Sequence, residues 1–174
     1  MKYCSHCSAL VSFIVPQGDN RHRYVCDKCE FIFYENPRII VGSIPVFEGK
    51  VLLCKRAIEP RLGYWTLPAG FMENQETTQQ AALRETYEEA YASPQLGALF
   101  SICNLIKGNQ VHMFYLAKMT VTEYGSGPES LEVELYEEAN IPWDDLAFGT
   151  VTQTLKRFFE DRKKGLMQLH HIDF

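Results

Sequence analysis

Apolar and polar residues alternate in a strand-like pattern over Arg38–Phe47 and 50–55, and Glu48-Gly49 between them predicts a β-hairpin. A second hairpin is expected from 95–106 and 110–119, with Lys107-Gly108-Asn109 at the bend. The period changes at Thr78–Ala90, where helix is expected. Thr77 is placed to cap it, and Gln80, three residues on, completes a capping-box pattern. Leu83, Tyr87 and Ala90 suit the core face of this helix. A second helix is expected over 151–164. Val151, Leu155, Phe158 and Phe159 share one of its faces, Lys163 and Lys164 lie in its last turn, and Gly165 stops it. Strands and helices interleaved in this way predict an α/β domain.

Residues 1–34 have a different texture: Cys-rich and without long apolar periodicity. Asn36-Pro37 follows as a hinge, because proline biases its predecessor away from helix. Two domains are expected, 1–34 and 35–174. With 174 residues, 46% hydrophobic and 22% charged, the chain can bury one substantial core and a small satellite. The longest apolar stretch, from Ile39 to Phe47, is broken by Gly42, Ser43 and Pro45 and falls far short of the roughly 18 residues of a membrane span. Nothing behind Met1-Lys2-Tyr3-Cys4 resembles the apolar centre of a secretory signal. A cytoplasmic protein without a membrane partner is therefore expected.

Four of the six cysteines form two Cys-x-x-Cys pairs, Cys4/Cys7 and Cys26/Cys29, separated by 18 residues. Each pair can present two sulfurs from one tight knuckle, and two knuckles close a tetrahedron around Zn²⁺. With all four positions filled by protein the metal is structural, and its binding supplies much of the folding free energy of so short a segment. Two disulfides or a redox dithiol are the plainer alternatives, opposed by the missing secretory signal and by the duplication of the pair. The segment 1–37 balances Lys2, Arg21, Arg23 and Lys28 against Asp19, Asp27, Glu30 and Glu35. It thus lacks the basic stripe of a nucleic-acid module, and the net charge of −5 for the whole chain agrees.

On the first helix Glu85, Glu88 and Glu89 stand at i, i+3 and i+4 and face one way. Like charges crowded on one face repel, and a divalent cation relieves them, since hard carboxylate oxygens are what Mg²⁺ or Mn²⁺ prefers. A merely solvated acidic face is the plainer reading. The preceding Leu67-Pro68-Ala69-Gly70 turn shifts the balance, because it delivers backbone beside the helix start.

Gly70, Glu76, Arg84, Glu85, Glu88 and Glu89 stand in the register Gly-x5-Glu-x7-Arg-Glu-x-x-Glu-Glu. In this the chain resembles the Nudix hydrolases. Three positions depart from that family's signature: Thr86 and Ala92 where larger aliphatic residues are usual, and Tyr91 where glycine ends the helix. Either Tyr91 takes the left-handed conformation or the helix runs on toward Ser93 and Pro94. Outside the box, the Cys4 ribbon, Asn36-Pro37, Gly127-Pro128-Glu129-Ser130 and Ile141-Pro142-Trp143 are similar to a zinc-ribbon branch acting on FAD and ADP-ribose-like dinucleotides.

The resemblance implies an α/β/α sandwich with a mixed sheet and an appended Cys4 zinc ribbon. It implies cleavage of the diphosphate bond of FAD or ADP-ribose with release of AMP. Mg²⁺ or Mn²⁺ would be held by Glu85, Glu88 and Glu89 with the Gly70 carbonyl, Arg84 would orient the glutamates, and Glu76 would support the outer coordination. Among the carboxylates of 129–145, Glu132 is favoured as a further catalytic group, and Arg56 as a contact to substrate phosphate. NADH or an oxidised dNTP is the alternative substrate, and a nucleotide sensor or ribbon-mediated adaptor is the non-enzymatic alternative. A homodimer is also implied, with Phe31, Ile32, Phe33 and Tyr34 as the apolar patch.

Overall fold

The computed structural model describes residues 1–174 and divides into two compact units, Met1–Asn36 and Pro37–Phe174. In the first unit, β1 (Val11–Ile14), β2 (Arg23–Cys26) and β3 (Ile32–Phe33) form an antiparallel sheet in that order. The two cysteine pairs fold into matching knuckles. In one, the Ser8 N–H donates to the Cys4 carbonyl at 2.9 Å; in the other, the Glu30 N–H donates to the Cys26 carbonyl at 3.0 Å. Ser8 and Glu30, each just after the second cysteine of its pair, both have left-handed backbone, with φ of 59° and 57°. This costs a non-glycine residue roughly 1 kcal/mol, so something beyond local preference holds both knuckles in the same shape.

The second unit is built on β4 (Arg38–Phe47), β5 (Lys50–Arg56), β6 (Trp65–Thr66), β7 (Ala69–Phe71), β8 (Gln95–Leu105), β9 (Gln110–Lys118), β10 (Ser130–Tyr136) and β11 (His170–Asp173). The main order is β10-β5-β4-β9-β8-β11, with β6 on β5 and β7 on β4. The sheet is mixed, since β4 runs parallel to β9 and β11 parallel to β8 while the other pairs are antiparallel. Glu48 and Gly49 both have positive φ, as a tight hairpin turn between β4 and β5 requires.

Helices α1 (Thr78–Ala90) and α2 (Gly149–Lys164) cover opposite faces of this sheet. Neighbouring residues of a strand point to opposite faces, and the core clusters divide accordingly. Val51 and Leu53 of β5 pack with Val151, Leu155 and Phe158 of α2, whereas Leu52 and Cys54 pack with Ala90 of α1. The α/β/α sandwich is thus present. Thr77 and Gln80 close the capping box, with hydrogen bonds of 3.2 and 2.8 Å. At the other end Tyr91 adopts φ 47°, its N–H bonded to the Tyr87 carbonyl, so α1 ends at Ala90 without running on.

The buried face of α1 corrects the sequence expectation. Leu83 and Tyr87 are exposed, and only Ala90 of the expected three is buried; Ala81, Ala82, Thr86 and Glu89 complete the inner face. Small side chains prevail because α1 lies close to β4. The buried Ser43 hydroxyl donates to Thr86 Oγ1 at 2.6 Å, and Thr86 in turn donates to the Ala82 carbonyl. A leucine there would hold the helix off the sheet.

Candidate functional site

In the first unit the sulfurs of Cys4, Cys7, Cys26 and Cys29 lie within 4.8 Å of one another. Cys4 to Cys29 is 3.7 Å and Cys7 to Cys26 is 3.4 Å. Tetrahedral zinc with bonds of about 2.3 Å spaces its sulfurs by about 3.8 Å, so the cluster fits the ion. Backbone N–H groups of Lys28 and Cys29 point at the Cys26 sulfur, both at 3.4 Å, and that of His6 points at Cys4. The Cys29 amide and further bonds lower the Cys26 thiol to about 6, favouring the thiolate a metal needs.

In the second unit a cavity of roughly 1000 Å³ opens beside α1. Gly42 lets β7 reach it, because a Cβ there would collide with Ala69 and the Pro68 carbonyl. The same close packing recurs at Gly70, where a Cβ would occupy the place of the Glu85 carboxylate. Gly70 and Glu85 are therefore held face to face, as a shared ion would require.

Arg84 organises the acidic wall. It donates to both oxygens of Glu76 at 3.0 and 2.7 Å, to Glu85 at 2.6 Å, to Glu88 at 3.0 Å and to the Phe71 carbonyl at 3.1 Å. Those bonds hold Glu76 down at about 2. Glu85 moves the other way: burial raises its carboxyl despite Arg84, with Glu88 and Glu129 adding to the rise. Glu89 receives only the Ala69 N–H, at 3.2 Å, and burial together with Glu85 and Glu129 pushes it up to about 8. Three carboxylates around one guanidinium, with Glu89 beside them, form a pocket of hard oxygen donors, which suits a divalent cation.

The structure brings Gly70, Arg84, Glu85, Glu88, Glu89 and Arg56 to the cavity, with Glu76 behind Arg84. Arg56 stacks over the Phe148 ring at 5.1 Å and donates to the Pro60 carbonyl. Glu132 is not brought there, which corrects its selection. It pairs in register with Lys55 and binds its ammonium at 2.7 Å, and Lys55 lies over Trp65, a residue of the α2-side core. Glu132 is thus engaged by Lys55 and does not line the cavity. Glu129 lines the cavity instead. It is delivered by Gly127, whose N–H donates to the Glu89 carbonyl at 3.0 Å and whose missing Cβ permits the chain to pass over α1. The Gly127-Pro128-Glu129 sequence was the available signal.

The cavity also contains His112, which sequence reasoning passed over. Its ring nitrogens lie 3.1 Å from Thr150 Oγ1 and 3.1 Å from Gln110 Oε1. Burial lowers it from 6.5 to about 4. Between those values the unfolded chain is protonated here and the folded chain is not, so stability present above 6.5 is lost as pH falls toward 4. We expect His112→Asn to flatten the decline in urea-unfolding free energy between pH 6.5 and 4. An unchanged slope would show that other groups cause it.

Comparison with known proteins gives two family matches: residues 2–35 to the Nudix N-terminal zinc ribbon and 36–161 to the NUDIX domain. The crystal structure of a NUDIX hydrolase from Nitrosomonas europaea is 48% identical, covers 100% of this chain and 99% of that one, and superposes with a TM-score of 0.97. An ADP-ribose pyrophosphatase of Methanocaldococcus jannaschii is 28% identical over 120 residues, 67% of this chain and 71% of that protein. Diphosphoinositol polyphosphate phosphohydrolase 2 of Mus musculus is 38% identical over 76 residues, 44% of this chain and 40% of that protein.

Proposed function

The chain belongs to the Nudix hydrolase family, and from that premise we propose that it hydrolyses the diphosphate bond of a nucleoside diphosphate derivative, ADP-ribose or FAD, releasing AMP. The observation that carries this reading is that one cavity is lined by both carboxylates and aromatic rings. Glu85, Glu88 and Glu89 line it beside Gly70, and so do Phe71, Phe148 and Phe174. A diphosphate linked to a flat base has parts to match both. An inositol polyphosphate fits less well, because Arg38, Arg56 and Arg84 are outnumbered in this cavity by Glu73, Glu85, Glu88, Glu89 and Glu129.

In this mechanism Glu85, Glu88, Glu89 and the Gly70 carbonyl would hold Mg²⁺ or Mn²⁺, which when bound would supply charge neutralisation for the diphosphate and activation of water. Arg84 fixes the carboxylates that would otherwise repel, and Glu76 fixes Arg84. Arg56 offers its guanidinium to a substrate phosphate. Glu129, which lines the cavity, would accept a proton from the attacking water. In the same reading, residues 1–34 are a structural zinc domain and 35–174 the catalytic one.

Turnover of ADP-ribose, FAD, NADH and 8-oxo-dGTP with Mg²⁺, with products separated chromatographically, tests the assignment. ADP-ribose should give ribose 5-phosphate and AMP, and FAD should give FMN and AMP. Preference for 8-oxo-dGTP by kcat/KM would replace it with the triphosphate reading.

A further inference from the structure

Strand β11 is fixed at the sheet edge by more than its ladder. Besides pairing with β8 from His170↔Ser101 to Asp173↔Asn104, it is pinned by two side-chain contacts. His170 Nε2 lies 2.8 Å from the deeply buried Asp161 carboxylate, and Asn104 Nδ2 donates to Asp173 at 2.8 Å. Phe174 follows directly. Its N–H donates to the Asn104 carbonyl at 2.9 Å, and its carbonyl accepts from the Ile106 N–H.

These bonds set Phe174 beside Leu105. Register across the sheet then runs from Leu105 to Gln110 and from Gln110 to Arg38. Arg38 in turn lies 5.2 Å over the ring of Phe71, the neighbour of Gly70. All of these residues line the same cavity. At Gly149, the first residue of α2, a Cβ would stand 3.2 Å from the Phe174 ring, a tight contact that glycine avoids where the ring meets the helix start. Yet Phe174 stays 44% exposed. The backbone of Phe174 is anchored on both sides, and its ring is left partly bare against the cavity.

Resting on the nucleoside diphosphate reading above, we infer that Phe174 is a specificity-determining residue. Its ring forms one wall of the part of the cavity that receives the substrate's flat aromatic base while the diphosphate reaches the glutamates. An edge-on or stacked aromatic contact contributes discrimination without touching the reacting atoms. The effect should therefore fall on binding.

The test compares wild type, Phe174→Ala and Phe174→Leu as full chains, with the leucine variant preserving apolar packing should alanine fail to fold. Kinetics with ADP-ribose and Mg²⁺ should show KM raised about tenfold, with kcat and melting temperature little changed. AMP affinity, measured by calorimetry in the same buffer, should weaken in parallel. Unchanged KM and AMP affinity in the folded variants, or a loss confined to kcat, overturns the inference. A wild type that hydrolyses none of the nucleotides defeats the functional reading instead, and AMP affinity then decides the role of Phe174 separately.

Discussion

Glu89→Gln should abolish most hydrolysis while leaving the fold intact. Glutamine nearly matches glutamate in volume and helix propensity and can still accept the Ala69 N–H. What it lacks is the anionic oxygen that the pocket holds in reserve. Activity should fall at least about 100-fold, the scale on which lost transition-state electrostatics are felt. Stability should move the other way. With its carboxyl raised from 4.5 to about 8, folded metal-free protein retains a proton that the unfolded chain releases, so wild-type stability declines as pH rises through that window. In EDTA at pH 8.5 the glutamine variant should melt higher than wild type. Near-normal turnover would mean that α1 presents only a solvated acidic face.

Cys26→Ser should have the second largest effect, confined to residues 1–36. Cys26 is 1% exposed, and its sulfur accepts two backbone N–H groups beside Cys7. Wild-type protein should contain about one zinc per chain. The serine variant should lose it, since three thiolates no longer close the tetrahedron, and amide exchange across β1–β3 should accelerate to near the unfolded limit. Zinc content by elemental analysis and exchange by mass spectrometry check this. Retained zinc and unchanged protection would contradict a four-thiolate site.

Features set by local chemistry were legible in the sequence. Thr77 and Gln80 announce the start of α1, Gly165 the end of α2, and paired cysteines the two knuckles. The order Gly70, Glu76, Arg84, Glu85, Glu88, Glu89 placed the acidic wall. Features set by distant neighbours were not. Leu83 and Tyr87 looked like core because they are large and apolar, but the approach of Ser43 to Thr86 demands small residues and turns them outward. Glu132 and Glu129 are indistinguishable as carboxylates. What separates them is an irregular register between Ser130 and Glu132 and the close pass of Gly127 over Glu88. Strand β11 carries two adjacent histidines and no apolar run, so its pairing with β8 rests on tertiary contacts that no local pattern reveals.

The central claim is that this chain cleaves a diphosphate with the help of a metal held on α1, and phosphorus NMR of one reaction tests it most directly. Metal-stripped protein mixed with ADP-ribose in EDTA should leave the two diphosphate resonances unchanged. Excess Mg²⁺ should then replace both with two phosphomonoester resonances, those of AMP and ribose 5-phosphate, at equal rates. Undiminished hydrolysis in EDTA, or diphosphate signals that persist after Mg²⁺ is added, would contradict it.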